Sequence, residues 1–329
     1  MHSDQIKRRD LIILLGGAAA AWPLIARAQQ AGSTTRIGLL WPGDAPPVSP
    51  RMESFRQGLR ALGFVDGQNI AIELRYAQGG PQQLPELAAE LVRLKVDVIF
   101  ASGDLAPKVA QQATETIPIV AISDDILGAG VVASLSRPGG NTTGLTILAP
   151  ELSAKRLEVL RDIIPGLSRV TALWDPTTGA SQVTMTATAA LSLNLKLQVL
   201  EVRRREDVAG VVRAARNSQA EALNVFSSPI LASLHREIIA FAAEYRLPAI
   251  YQWKEHSEAG GLVSYGPNLA AIWRQSAIIV GKVLKGVKPA DLPVEQPTKF
   301  ELAVNLRTAK SLDLTIPPSV LLRADEVIE

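Results

Sequence analysis

From Arg36 onward, apolar runs too short for helices alternate with longer stretches in which apolar residues recur every three or four positions. Ile37–Trp41 predicts a strand, Pro42–Pro47 a polar loop rich in proline, and 49–62 a helix that ends at Gly63. Asn69–Tyr76 alternates as a strand, and Gln82–Leu94 has helical spacing. Val96–Ala101 predicts a strand that stops at Ser102-Gly103-Asp104, followed by a helix to about Thr114. Pro118 opens Ile119–Ile122, a run suited to a buried parallel strand, which stops at Ser123-Asp124-Asp125. Gly128-Ala129-Gly130 predicts a turn into an amphipathic helix, and Arg137-Pro138-Gly139-Gly140-Asn141 ends it. Thr142–Leu148 is again strand-like and is expected to join a different sheet. Residues 117–144 would then hold both a loop at the mouth of a cleft and a passage between lobes.

The series begins again in the second half. Arg169–Pro176 echoes Arg36–Pro42, Ala220–Phe226 with Ser227-Ser228 echoes Val96–Ala101 with Ser102, and Leu247–Tyr251 echoes Ile117–Ala121. Buried strands draw on few residue types, so similarity of this kind also arises by chance. Conserved order across three segments favours two similar lobes. The expected fold class is α/β, with two doubly wound parallel-sheet lobes that present their strand ends to a shared cleft. Gly260–Pro267 reads as a short strand, Leu269–Leu284 as a long helix and 289–297 as a polar connector. Phe300–Val304 reads as a strand, with helices at 306–312 and 318–327. The expected first lobe is 34–145 plus 267–296 and the second 146–266 plus 297–329. Three stretches of chain would then form the hinge, which permits bending and limits tumbling.

Within the 329 residues the first 28 change the picture most. Lys7-Arg8-Arg9 precedes an apolar run from Leu11 to Ile25 and then Ala26-Arg27-Ala28, the order of an export signal with a small-x-small cleavage site. The run is short for a membrane span, and Arg8-Arg9-Asp10-Leu11-Ile12 resembles a twin-arginine signal. Cleavage near Ala28 would place the chain in the periplasm without direct membrane insertion. It would remove four basic and two acidic side chains and leave 30 of each. A neutral surface gives no electrostatic reason to expect nucleic acid. No cysteine is present, which excludes disulfides, thiolate metal sites and cysteine nucleophiles.

Ser102, Gly103, Ser123, Asp125, Asp175, Ser227 and Ser228 all follow predicted strands, where they could line a cleft or equally cap helices. Backbone N–H groups there would suit a solute carboxylate, and Asp125 or Asp175 an ammonium. Trp41, Trp174, Tyr251 and Tyr265 end strands at the same mouth and could close over an apolar solute or pack within their own lobes. Ser264 lies beside Tyr265, while Asp124 and Trp253 are secondary candidates. Gly128-x-Gly130-x-x-Ala133 fits the spacing of a dinucleotide fingerprint, but it sits in the fourth unit rather than after the first strand. His235 and His256 are expected on solvated surface. No metal, cofactor or catalytic set is expected, so the chain reads as a binding protein rather than an enzyme.

Gly128–Gly144 (GAGVVASLSRPGGNTTG), Gly260–Pro267 (GGLVSYGP) and 289–329 resemble ABC-transporter substrate-binding proteins of the tryptophan/tyrosine-type branch. The resemblance implies a periplasmic-binding-protein type I-like fold closing on a small-molecule solute. It also implies a membrane permease with its cytoplasmic ATPase as partner. An amino acid or similar small carboxylate is the preferred solute. The alternative is a periplasmic ligand-sensing protein that serves a membrane sensor.

Overall fold

Parallel strands need crossover connections and cover on both faces, and the chain supplies these twice. The computed structural model describes residues 34–43, 50–78 and 80–329; the export-signal segment and residues 44–49 lie outside the described residues. The first half runs β1 (Thr35–Trp41), α1 (Pro50–Ala61), β2 (Ile70–Tyr76), α2 (Leu84–Arg93), β3 (Val98–Ser102), α3 (Leu105–Ala113), β4 (Ile119–Ser123) and β5 (Thr142–Thr146). Then come α4 (Ala149–Ile163), β6 (Arg169–Trp174), α5 (Ser181–Ser192), β7 (Lys196–Glu201), α6 (Asp207–Asn217), β8 (Ala222–Val225) and α7 (Pro229–Ser233). α8 (His235–Glu244), β9 (Ala249–Tyr251), α9 (Lys254–Glu258) and β10 (Val263–Pro267) follow. The chain closes with α10 (Leu269–Leu284), β11 (Phe300–Asn305), α11 (Leu306–Ser311), α12 (Pro318–Leu321) and β12 (Glu326–Ile328).

These strands form two sheets, β2-β1-β3-β4-β5 and β7-β6-β8-β9-β10-β11-β12. The first five strands of the second sheet repeat the order of the first, as the sequence echoes anticipate. Period-two alternation divides each strand between two cores. In β1 and β3, Ile37, Leu39, Val98 and Phe100 face the core under α1 and α10. Leu40, Ile99 and Ala101 face the core under α2 and α3. In β9, Ala249 and Tyr251 face α6 and α8, while Ile250 faces α4.

Three expectations are corrected. β5 does not join a different sheet: it runs parallel to β4, from Ile119 opposite Thr142 to Ser123 opposite Thr146. Gly144, at φ +151°, permits this, since a Cβ there would fall 1.9 Å from the Ala121 carbonyl oxygen. Residues 128–137 form turns rather than a helix. The Asp125 side chain and the Ile126 carbonyl accept from the Gly128 and Val131 amides, and Gly130 has φ +71°. At the C-terminus the helix at Pro318 ends at Leu321, and Glu326–Ile328 adds a strand parallel to β11.

The chain passes between the sheets three times: from β5 to α4, from β10 to α10, and from Glu295 to β11. The first and third passages lie side by side, because Glu295 bridges Leu145 in parallel. α10 follows a strand of the second sheet yet packs on α1 beside the first. A Cβ on Gly58 of α1 would meet the Ala277 Cβ at 2.6 Å and the Arg274 carbonyl at 2.8 Å, so a larger side chain cannot enter without separating the helices. Gly58→Val should therefore destabilise the fold by about 2–3 kcal/mol in urea titration. An unchanged midpoint would contradict this docking.

Candidate functional site: a tryptophan-walled cavity between the lobes

In doubly wound sheets, ligands gather at the carboxyl ends of the strands, and here both sheets turn those ends toward one cavity. Trp41, Ser102, Gly103, Ser123 and Asp124 enter it from the ends of β1, β3 and β4, and Ser227, Ser228, Gln252 and Trp253 from the ends of β8 and β9. Its remaining walls are mainly apolar, with Trp273 and Ile272 of α10 prominent. The ring of Trp273 sits 5.8 Å from that of Trp41 and edge-on to Phe100 at 5.3 Å. Trp253 comes from the second sheet but packs into the core of the first lobe. Arg51 covers Trp41, with its guanidinium carbon 5.7 Å from the ring centre. The lobes touch around the cavity and leave it about 30 Å³, room for roughly two water molecules.

The polar floor is a seam of buried groups from both lobes. Asp104, at the start of α3, accepts through Oδ1 from the Ser123 hydroxyl and from the amides of Asp124 and Asp125, at 3.0 and 3.2 Å. Asp124 reaches the other lobe and accepts from the Ser227 hydroxyl. Ser227 is itself held by Gln182, which accepts from its amide at 2.9 Å and donates to its carbonyl at 2.8 Å. Behind this lies Arg156 of α4, 1 % exposed, which donates to the Tyr265 carbonyl at 2.9 Å and to Ser153 Oγ at 3.2 Å. Burial pushes the Asp124 carboxyl well up, and the neighbouring Asp104 charge adds to this while Ser227 and Arg156 oppose it. Burial likewise raises Asp104 to about 6 and lowers Arg156 to about 9.

Several buried atoms have no hydrogen-bond partner among the described residues: at the cavity, Oδ2 of Asp124, Oε1 of Gln252 and the indole N–H of Trp41 and of Trp253, and in the seam behind it Oδ2 of Asp104. Each such group carries a desolvation cost of about 1–3 kcal/mol, more when charged. The set holds both acceptors and donors, beside broad apolar walls. The set would suit a small solute that is polar at one end and flat or branched at the other only once the lobes part, since the cavity holds about two waters.

Six of the residues expected at the cleft meet in this cavity: Trp41, Ser102, Gly103, Ser123, Ser227 and Ser228. Six others take different places. Asp125 closes the turn to Gly128, and Asp175 caps its own turn by accepting from Thr177 N at 2.9 Å and Oγ1 at 2.8 Å. Trp174 donates to the Gly179 carbonyl, Tyr251 is buried under α6 and α8, and Tyr265 packs near Phe300. Ser264 is buried with its hydroxyl unpartnered among the described residues. Asp104, Arg51 and Arg156 were not singled out as candidates: Arg51 and Arg156 lie inside helices with no local motif, and Asp104 reads as a helix cap. The two histidines are not solvated surface. His256 is buried and stacks on His235 with ring centres 4.8 Å apart, and desolvation draws both pKa values down.

The family model for ABC transporter substrate binding proteins matches residues 42–328. The chain belongs to that family. A tyrosine-binding protein of Clostridioides difficile strain R20291 is 25 % identical over 284 residues, covering 84 % of this chain and 81 % of that protein. The crystal structure of an ABC domain from Streptococcus pneumonia in complex with L-Trp is 25 % identical and superposes with a TM-score of 0.82, over 90 % of this chain and 100 % of that one. A conserved domain protein from Vibrio cholerae O1 biovar El Tor is 26 % identical with a TM-score of 0.81 and the same coverage. The two parallel-sheet lobes thus form a periplasmic-binding-protein type I-like fold.

In this substrate-binding protein, the buried Asp104–Asp124 pair gives a signed pH dependence. An acid whose pKa is higher in the folded protein than in the unfolded chain binds its proton preferentially on folding. Its contribution favours the folded state at low pH and is lost as pH rises from the ordinary 3.8 through the folded value, about 6 for Asp104 and likewise raised by burial for Asp124. Asp124→Asn removes the acid and keeps a partner for Ser227. The melting temperature of the variant relative to the parent should therefore climb by several degrees between pH 4 and pH 8, measured by differential scanning fluorimetry. A constant offset would show that Asp124 titrates normally.

Proposed function

We propose that this family member is the exported solute-binding component of an ABC-type importer. It takes a small solute between its lobes and presents the closed form to a membrane permease coupled to a cytoplasmic ATPase. One observation supports this most: buried donors and acceptors with no hydrogen-bond partner among the described residues come from both lobes to one cavity lined by Trp41, Trp253 and Trp273. A solute that satisfies those groups interacts better with touching lobes than with separated ones, which is what ligand-driven closure requires. The side-by-side passages at Leu145 and Glu295 suit a hinge.

An amino acid or similar small carboxylate is the preferred class. Arg51 and the two indole N–H groups suit a carboxylate, Asp124 suits an ammonium, and the walls of Trp41, Trp253 and Trp273 suit an aromatic or branched side chain. The relatives with tyrosine- and tryptophan-binding descriptions agree with that choice. The function is binding without chemistry. The export-signal pattern read in residues 1–28 supports a periplasmic location; no helix among the described residues is long and apolar enough to cross a membrane.

Isothermal titration against the twenty amino acids and a set of organic acids tests this reading. Saturable binding by an aromatic or branched amino acid, at one site per chain, is expected; no heat from any of them would overturn the solute class. Trp253→Ala should weaken that binding roughly 10- to 100-fold. Gly103→Val should weaken it too, by opposing closure. Gly103 has φ +81°, and a Cβ there would fall 2.8 Å from Cγ of Pro229 on the opposite lobe.

A further inference from the structure

We propose that the stacked imidazoles of His235 and His256 position Arg51 at the cavity, and that their protonation expels it and weakens solute binding in acid. The inference rests on the solute-binding reading above and adds a proton linkage to it, carried by two histidines which that reading does not use.

Arg51 comes from α1 of the first lobe, lines the cavity and covers Trp41. Its charge acts across the lobes on Glu255 and on both histidines. His256 of α9 is 3 % exposed. It stacks on His235 of α8 with 17° between the rings and meets the Tyr251 ring edge-on at 5.6 Å. Neither ring nitrogen of His256 has a hydrogen-bond partner among the described residues. His235 Nδ1 lies 2.8 Å from the Ala232 carbonyl, which can only accept, so the neutral ring carries its proton on that nitrogen. A buried ring in the state of His256 is tolerable only while it is neutral.

The surroundings oppose protonation of the stack. Desolvation comes first, and the charges of Arg51 and Arg156 on His256, and of Arg51 and Arg236 on His235, add to it. Other ionisable groups on the elements around α9 are engaged elsewhere. Glu301 of β11 accepts from Asn268 at 2.7 Å, Glu237 of α8 pairs with Arg205, and Lys254 pairs with Glu258 and Glu326. Glu244 of α8 is exposed, Tyr265 of β10 packs near Phe300, and burial holds the Tyr251 hydroxyl neutral. Glu255 acts on Arg51 as a counter-charge, and burial raises its carboxyl, so acid removes that attraction too.

Of these cations, Arg51 belongs to the first lobe, and Arg156 and Arg236 stay with the stack. When the lobes part, Arg51 leaves with α1 and the imidazoles take up protons more readily. The separated form therefore binds more protons than the form with the lobes together. Acid then favours separation, with little effect well above the ordinary histidine value of 6.5 and a growing one below it. With neutral imidazoles behind it, Arg51 meets no like charge from the stack and stays at the cavity. The histidines are positioning residues that act on the solute through it.

Isothermal titration with L-tryptophan should show affinity falling about five- to tenfold between pH 7.5 and pH 5.5. A chain that begins at Gln29 holds only these two histidines, so NMR can follow each imidazole, and both should titrate lower with L-tryptophan bound than without it. His256→Phe keeps a stacked ring and removes the titration, and should bring the ratio of affinities at the two pH values close to one. Arg51→Met should flatten that ratio as well, whatever it does to affinity itself. A purely structural role would lower affinity equally at both pH values and leave the ratio as in the parent. Thermal melts confirm that each variant is folded, and His256→Gln repeats the test if Phe disturbs the stack. A panel member that binds in place of L-tryptophan is titrated in the same way. Equal affinity at the two pH values in the parent overturns the linkage and leaves solute binding standing. A ratio that survives in the His256 variants also overturns it, and assigns the pH dependence to Asp104 and Asp124 instead. No binding at pH 7.5 by L-tryptophan or any member of the wider panel overturns the solute-binding reading, and the linkage falls with it.

Discussion

A carboxylate with no full complement of partners is costly to bury, and Asp124 is buried where the two lobes meet. Its backbone belongs to the first lobe, at the end of β4. Its side chain is held by Ser227 of the second, beside the field of Arg156. The same backbone anchors the first passage between lobes: the Ser123 and Asp124 carbonyls accept from Ile147 and Ala149, both at 3.0 Å. Between those two bonds Leu148 sits at φ +57°, a left-handed conformation that a bulky residue adopts only when its surroundings demand it. Site and hinge are therefore parts of one short segment.

That arrangement explains why the apolar walls alone do not define the cavity. Trp253 from the second sheet packs with Trp41, Trp273 and Phe100 in the core of the first lobe, so lobe contact already buries much aromatic surface. Apolar burial favours contact with or without a solute. On the proposed function, the discriminating term would come from groups without a partner among the described residues, the carboxylate oxygens of the seam and the indole N–H groups. On that reading, the walls would supply most of the affinity and the seam most of the selectivity.

Much of the architecture was legible in the sequence because strand-helix alternation and the echo between halves are local patterns. The helix Leu269–Leu284 matches its predicted bounds, and both sheets share one strand order. The sheet to which Thr142–Thr146 belongs was not legible, since pairing depends on Gly144 meeting Ala121 across the ladder. Nor was the absence of a helix at 128–137, where apolar spacing was genuine but two glycines and a side-chain-capped turn prevailed. Among the site residues, strand ends on the inner ladders were readable from position alone. Asp124 and Asp125 are neighbours of the same type, and only the turn at Gly128 sends one to solvent and the other to the seam. Trp174 echoes Trp41 in sequence, yet a bond to Gly179 holds it away from the cavity. Arg156 carries no sequence signal, because its role depends on contacts with Tyr265 and Ser153.

The most direct measurement is a crystal structure of the mature protein grown with L-tyrosine or L-tryptophan. The account predicts the solute between Trp41 and Trp253, with its amine nitrogen within about 3 Å of Asp124 Oδ2 and the lobes farther apart than in the solute-free form, whose cavity holds about two waters. A solute bound elsewhere, or one in this cavity with its amine turned away from Asp124, would contradict it.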